Sequence, residues 1–588
     1  MAESRISRYR ARLNDLKTKK QPWEPIYQSL SEVFTARKLD FTNANNLGAF
    51  LQDNIFASTP QFAANVFASV CLSMIWPDAA RSFNIVPSPQ LRGKPGVEAY
   101  FRAVTNRLHA SMDNPEAGLQ LAFMEHFLDQ AVFGTSGVAT LENSDEDDSD
   151  KPVLYETWDV KTMFISENAQ HYVDTVYLLP PMNVRQVFEE YGRNKKRGDR
   201  VSGKVAELYG DGGKHLEEKV EVLLVLEPKV PVPGKGGVLG MKWRTCHIDL
   251  TNSVIMRESG FEEMPVAIAR AIKRAGETQG RSFGMTALAP SINLNQLAEG
   301  ILVATEKQLS PPIAVLDDGR LGGTVVDTSA DGMTVINTAG RPFGEKPIFP
   351  LFTVGDMTSS KDLKIQLIEE IMQAFMLDRL LDLNNKTMMT AYETSVRNRL
   401  RGESSGSYFA RQIMEVIIPT IKRSYNIHYR KGYFGDFPGV PQDAPGSVQR
   451  RSWKQVGGSD PMEVPEIIRK AVIAGLDVYD IEFISPAARF MQAEKLQGLM
   501  TSMDAKLAVA AVRPDILDGT DLDKWSRDID KYAGAPVFSQ RTVEELDEYR
   551  AQQQQRQNAI EGLQAGQAAA DIAAKTAQAR VSMGTTAA

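Results

Sequence analysis

The stretch Gly355–Tyr429 constrains the fold most, because it reads as a helix, a short polar loop and a second, longer helix. Ser359-Ser360-Lys361-Asp362 has the form of a capping box, in which a hydroxyl accepts from backbone N–H groups that a helix start leaves open. Leu363, Leu367, Ile371 and Phe375 recur every fourth residue, and Ile368, Met372, Met376 and Leu380 form a second row beside them. Two adjacent rows at this spacing make a broad apolar stripe on one helical face. The spacing predicts a helix from Leu363 to Leu383, roughly 31 Å long at about 1.5 Å per residue. The polar loop Asn384-Asn385-Lys386-Thr387-Met388-Met389 ends it. Thr390-Ala391-Tyr392-Glu393 is a second capping box. The helix it starts carries Arg397, Arg399 and Arg401, loosens at Gly402 and Gly406, and resumes over Ser407–Tyr429 with a bend expected at Pro419. Periodicity fits a tip that reaches into a central opening and packing within one chain equally well.

A chain of 588 residues is long enough for several structural regions. Its formal net charge of −7 is not the balance of a protein that grips nucleic acid by neutralising phosphates. A mild acidic excess suits a surface that DNA slides past, and it is also ordinary for soluble proteins. Two cysteines, Cys71 and Cys246, in so long a chain point to a reducing compartment. The charged Met1–Lys20 lacks the apolar core of a secretory signal. Phe62–Trp76, the most apolar stretch, is too short for a bilayer, which needs about 20 residues, so no membrane segment is expected.

Taken in order, Met1–Lys20 is basic (Arg5, Arg8, Arg10, Arg12, Lys17, Lys19, Lys20) and reads as the solvated face of an N-terminal helix, or else as a contact with an acidic partner or with nucleic acid. Trp23–Arg37, Asn54–Ile75, Val97–Asp113 and Leu119–Phe133 continue as helices, with a stop at Trp76-Pro77. From Val153 to Ala271 the pattern turns to strands, among them Lys219–Glu227 and a hairpin of Met241–Leu250 and Val254–Glu258 around Thr251-Asn252-Ser253. Arg281–Ser310 returns to helix and ends at Pro311-Pro312. Ile313–Phe352 is a small β insertion, with strands around Ile313–Leu316, Thr324–Val326, Met333–Ile336 and Ile348–Phe352. Ser291–Ser310 and Ser359–Leu383 thus flank a compact β cap. Lys431–Pro465, rich in Gly and Pro, is a linker. Ser485-Pro486 starts a helix, Asp521–Tyr532 is another, and Thr542–Thr576 is a long Gln/Ala-rich helix with little to bury alone.

No compact catalytic motif stands out. The histidines (His109, His126, His171, His215, His247, His428) lack metal-helix spacing, and Cys246-His247 lies in a strand pattern where neighbours face opposite sides. The glycine loops at Gly210–Lys214 and Gly234–Gly237 lack the phosphate-loop spacing and read as loop tips. Glu142–Asp150 holds six acids but lacks the calcium-loop glycine and distal glutamate, so a solvated turn outweighs a metal site. Neither an enzyme, a cofactor nor a metal is expected.

Arg281-Ser282-Phe283-Gly284-Met285-Thr286-Ala287-Leu288-Ala289-Pro290, then Leu294-Asn295, Thr305-Glu306-Lys307 and Pro311-Pro312, resemble the head-to-tail connector (portal) proteins of short-tailed bacteriophages. The segment before Trp76-Pro77 and the Thr390-Ala391-x-Glu393 box resemble them too, and the likeness covers about Arg5 to Arg550. It implies an α+β, mainly α fold with an α/β wing, a two-helix stem, a small β clip, a long kinked tunnel helix and an α-helical crown. The implied division is a wing over 1–280 (helical 1–140, β-rich 153–271) and stem helices at 281–310 and 355–383. The clip would span 311–354, the tunnel loop 384–389, the returning helix 390–430, a linker 431–465 and the crown 466–549. A Gln/Ala-rich tail would fill 550–588, too short for a full barrel.

The resemblance further implies a ring, typically of twelve copies, at one capsid vertex of the virion, made in the host bacterial cytoplasm. Double-stranded DNA would pass through it during packaging and ejection. Terminase and then tail adaptor and tail proteins would dock on it, beside major capsid and scaffolding proteins. Glu369, Glu370, Asp378 and Asp382 would line the bore and repel phosphates, while Lys386 in the loop Asn384, Asn385, Lys386, Thr387, Met388, Met389 would touch them transiently. Asp317, Asp318, Arg320, Asp331, Glu345 and Lys346 would serve docking at the clip. The competing readings are a metal-dependent nuclease using Asp145, Asp147 and Asp148, and a non-channel scaffold with a C-terminal coiled coil, which needs apolar heptads the tail lacks.

Overall fold

The computed structural model describes residues 2–36, 41, 55–77, 81–143, 152–192, 199–211, 214–230, 240–317, 326–337, 348–353, 355–380, 406–435, 462–510, 513, 519–533, 545–546, 548–560, 567, 572 and 574–576. The fold is mixed α+β and mainly helical. Helices α1 (Ala2–Lys20), α2 (Glu24–Leu30), α3 (Thr59–Ile75), α4 (Val97–Met112) and α5 (Leu119–Val132) come first, with strand β1 (Phe83–Pro87) among them. Strands β2 (Thr135–Glu142), β3 (Val153–Trp158), β4 (Met163–Glu167), β5 (Val173–Leu178) and β6 (Pro181–Asn183) follow. After α6 (Val184–Gly192) and α7 (Gly203–Gly210) come β7 (Lys219–Pro228), β8 (Trp243–Asp249), β9 (Val254–Phe261) and β10 (Val266–Arg270). Then α8 (Phe283–Leu309), β11 (Ile313–Asp317), β12 (Met333–Asn337), β13 (Ile348–Pro350), α9 (Thr358–Ala374) and α10 (Leu377–Leu380) form a limb. The helix Ile418–Arg430, the helix Glu466–Ile473, β14 (Tyr479–Phe483) and the helices Pro486–Ala510 and Leu522–Ala533 complete the described elements.

Burial of apolar faces assembles these pieces. The main cluster joins α3, α4 and α5 to the first turns of α8, the end of α9 and the helix that ends at Arg430. At its heart Phe67 packs on Phe283, Tyr408 and Phe375 at ring distances of 5.0, 5.7 and 6.1 Å. A larger antiparallel sheet, β4-β5-β7-β8-β9 with β6 on β7, stands beside a three-stranded sheet β10-β2-β3. α1 lies on the larger sheet: Ile6, Tyr9, Leu13 and Leu16 bury against Phe164, Tyr177, Leu223, Val225, Cys246 and Ile248.

Several basic residues of α1 are therefore engaged within the chain, while Lys17 and Lys19 are exposed. Arg5 pairs with Glu258 at 2.9 Å and Arg8 with Glu227 at 3.3 Å. Arg10 donates to Leu250 O and to Ser253 Oγ. Lys20 is buried, donates to the carbonyls of Val160, Lys161 and Met163, and is pushed down to about 8 by that burial. The helix is therefore not simply a solvated face: Arg5 and Arg8 find acidic partners on the protein's own sheet.

Helix starts at Val97, Leu119 and Pro486 and the β8–β9 hairpin lie where the sequence places them. Cys246 faces the α1 cluster while His247 accepts from or donates to Tyr191 OH at 2.7 Å, so the two do face opposite sides; Cys71 and Cys246 are free thiols. Four differences have physical reasons. First, α9 starts at Thr358 without a Ser359 cap; Asp356 Oδ1, just before it, accepts from Thr358 N–H at 3.1 Å. Second, the helix expected to run to Leu383 breaks at Phe375-Met376, because Phe375 and Leu377 are drawn into the main cluster. Third, a π turn over Ile413–Ile417 precedes Pro419, which lacks an N–H to donate. Fourth, β14 pairs with β1 and Ile468 is fully buried in the main cluster, so residues 466–483 join the first helical region instead of opening a separate, wholly helical one. Asn384–Met389, the Thr390 box, most of the acid run, the glycine loop at 234–237 and most of Thr324–Val326 lie outside the described residues.

The buried histidines are core residues held by hydrogen bonds, His126 through Nε2 alone, its buried Nδ1 having no hydrogen-bond partner among the described residues. His126 Nε2 bonds Gln412 Oε1 at 3.1 Å, and His428 bonds Ser424 O at 2.6 Å and Ser111 Oγ at 2.7 Å. Burial pushes both down to about 4, and burial, with the Arg257 charge second, pushes His247 down to about 3. They stay neutral in the fold, while the unfolded chain takes up protons below its ordinary value of 6.5. Their contribution to stability is therefore complete above that pH and is lost as the pH falls toward the folded values. Denaturant melts of His126→Gln should show a pH slope between 6.5 and 4.5 shallower than the parent's by up to about 1.4 kcal/mol per unit. Backbone crossing gives a second expectation. Gly134 has φ 82°, and a Cβ on Gly280 would lie 2.2 Å from Gly134 O. Gly280→Ala should cost about 2 kcal/mol or more in the same melts, because backbone has no side chain to swing aside.

Candidate functional site

The limb is where the chain leaves its core. Ser282 starts α8, its Oγ accepting from Met285 N–H at 2.9 Å. The first turns of α8 are buried through Phe283, Ala287, Ser291 and Leu294. Beyond Leu294, burial stops: up to Leu367 the buried described residues are Pro312, Ala314, Gly332 and Thr334, all in the β cap. In the cap β11 lies between β12, which is parallel to it, and β13, which is antiparallel. Asp331 N–H donates to Ser310 O at 3.2 Å, and Lys307 sits over the Phe352 ring at 5.7 Å, which ties the cap to the end of α8.

Two helices packed mainly on one another leave a great deal of apolar surface to water. Ile292, Leu302, Val303 and Leu309 on α8, and Leu363 and Ile365 on α9, are exposed, Leu309 at 80%. Val326, Met333, Ile348 and Phe352 are exposed at the cap. So many exposed large apolar side chains on one limb are the kind of surface that interaction faces present.

A second face of α9 is different in kind. At 3.6 residues per turn, Asp362, Gln366, Glu369 and Gln373 fall on one line, with Glu370 beside it. All five are exposed. The sequence reading named Glu369 and Glu370; Asp362, Gln366 and Gln373 are added by their position opposite the buried Leu367 and Ile371, a signal that helical phase alone carries. Asp378 is half-buried on α10, beyond the break, and does not extend the line. Asp317 ends β11, its backbone opposite Asn337, and Asp331 is exposed with φ 60° at the turn before β12. Asp382, Asn384, Asn385, Lys386, Thr387, Met388, Met389, Asp318, Arg320, Glu345 and Lys346 lie outside the described residues.

Among the described residues, no group of His, Cys, Asp and Glu side chains could hold a metal ion, and no helix is long and apolar enough to cross a membrane. What the limb offers is a set of exposed apolar side chains and an acid-and-amide stripe.

Comparison with known proteins bears on the chain as a whole. The family model described as bacteriophage head to tail connecting protein matches residues 7–453. The "Probable portal protein" of Bordetella phage BPP-1 is 22% identical over 530 residues, 89% of this chain and 86% of that protein. The "Portal protein" of Salmonella phage epsilon15 is 23% identical over 586 residues, 97% of this chain and 95% of that protein. Among solved structures, a chain of a native gene transfer agent virion covers 77% of this chain and 94% of its own length at 12% identity, with a TM-score of 0.30, too slight a likeness to carry an argument.

If the exposed limb residues are an assembly face, Leu302→Glu and Leu363→Glu should leave the thermal midpoint of the isolated chain within a few degrees. Each should shift its sedimentation profile from assembled to unassembled species, because neither side chain is needed by the chain's own core.

Proposed function

Because the chain belongs to the bacteriophage head-to-tail connecting protein family and functions as a phage portal protein, we propose that copies of it close into a ring, typically of twelve, at the head–tail junction. Double-stranded DNA passes through that ring in packaging and ejection. The observation that carries the ring is the limb, whose two helices expose apolar side chains along their length while one line of α9 is polar and acidic. Head-to-tail contacts between like copies cover such side chains without a self-complementary patch.

In this reading residues 1–280 are the wing, α8 and α9 the stem, 311–354 the clip, 384–389 the tunnel loop, 390–430 the returning helix and 466–549 the crown. The pairing of β14 with β1 ties the first part of that crown to the main core. Asp362, Glu369 and Glu370 face the bore, where carboxylates keep phosphates from adhering. Asp378 and Asp382 lie nearer the loop, and Lys386 supplies a transient positive contact. The clip, with Asp317, Asp318, Arg320, Asp331, Glu345 and Lys346, meets terminase and then the tail adaptor; major capsid and scaffolding proteins surround the wing. The role is structural.

Negative-stain images of the purified protein should show rings with a central hole; particles without one would overturn the reading. Deleting Asn384–Met389 should leave rings intact and impair DNA retention, whereas loss of rings would make the loop an assembly element. Combining Asp362→Lys with Glu369→Lys should keep the rings and lower DNA-filled particles by roughly tenfold. The purified variant should also gain DNA binding that weakens steeply with salt, as phosphate contacts do.

A further inference from the structure

Nothing local in the sequence calls for a break at Phe375-Met376. From Asp356 to Arg401 there is neither glycine nor proline, the usual origins of a sharp kink. Gln373, Ala374, Met376 and Leu377 are good helix formers. Yet the ladder changes step. Phe375 N–H donates to Ile371 O at 3.2 Å, Met376 N–H donates to Gln373 O at 2.9 Å, and the four-residue step resumes from Leu380 N–H to Met376 O at 3.0 Å. Between them Met376 takes φ 55°. A left-handed methionine is strained, because its Cβ crowds the neighbouring carbonyl.

Packing holds the strained form. Phe375 is fully buried, edge-on to Phe34 at 5.6 Å, and Leu377 is fully buried in the same cluster. An unbroken helix distributes these side chains differently. Continuing α9 at 3.6 residues per turn keeps Phe375 beside Ile371 and extends the row Ile368-Met372-Met376-Leu380. It also carries Leu377 round to the side of Glu370 and Gln373, and brings Asp378 into line with Leu367 and Ile371. One arrangement has a strained backbone and a buried leucine. The other has a relaxed backbone and exchanges that leucine for an aspartate.

We propose that Phe375-Met376 is a two-state hinge, at which α9 and α10 interconvert between this broken form and one continuous helix, exchanging Leu377 for Asp378 on the buried face and resetting the direction in which the chain leaves Leu380. The hinge concerns the backbone of residues 371–380 and stands whether or not the limb borders DNA. An outlier held by its surroundings against local preference is the usual form of such a switch.

Thiol labelling of the assembled full chain tests it, with Cys71 as the internal reference, since that thiol is fully buried in the same cluster and reports opening of the core as a whole. In Leu377→Cys the new thiol should react at least about tenfold faster than Cys71. Adding Met376→Gly should slow it by about tenfold, because glycine removes the left-handed penalty and favours the broken form. Adding Met376→Val should speed it, because a β-branched residue is poorest at positive φ. Labelling at the rate of Cys71, or a rate indifferent to residue 376, would overturn the hinge. A second measurement needs no new thiol. Met376→Gly alone should raise the thermal midpoint, whereas a glycine inside an ordinary helix lowers it. A fall would show that the broken form is not the resting state.

Discussion

The fold depends on one aromatic contact set. Phe67 on α3 touches Phe283 at the start of α8, Phe375 at the end of α9 and Tyr408 on the helical segment that precedes the π turn, and Phe375 in turn touches Phe34. These residues come from five places up to about 370 positions apart in the chain, so their contact fixes where the limb leaves the body and where it returns. Large aromatic side chains dominate such cores because each removes so much apolar area from water. Among the described residues, the limb itself has no comparable centre.

Electrostatics settle the rest of the body's geometry. Arg270 is almost wholly buried, pairs with Glu167 and reaches Glu415 in the π turn at 3.3 Å. Glu415 also accepts from Arg270 N–H at 3.0 Å, so the long helix is clamped to β10 by charge and backbone together. Arg423, one turn beyond Pro419, donates to Thr140 O at 2.7 Å and is held below its ordinary value, at about 10, by burial. Charged groups this deep are retained only when hydrogen-bonded, and their geometry specifies position more than it adds stability.

Helices with caps and strong period were legible in the sequence, as the starts at Val97 and Pro486 and the stop at Trp76 show. So was the β8–β9 hairpin, whose turn residue Ser253 takes φ 56°. What could not be read was tertiary. Nothing near Tyr479 announces that its strand pairs with Phe83–Pro87, nearly 400 residues earlier. The basic face of α1 gave no sign that Glu258 and Glu227 would neutralise it. The break at Met376 runs against local propensity and follows only from where Phe375 and Leu377 are buried. At the limb, periodicity located the apolar rows but not which side chains the chain's own body would cover: Leu367 and Ile371 are buried, whereas Leu363 is exposed.

The limb's two helices run in opposite directions between body and cap, and each is continuous with the chain at both ends. A load applied at the cap therefore stretches both rods along their axes. Along α9 and α10 the four-residue hydrogen-bond step is interrupted at Met376, so such a load meets an irregular turn where the rod joins the body.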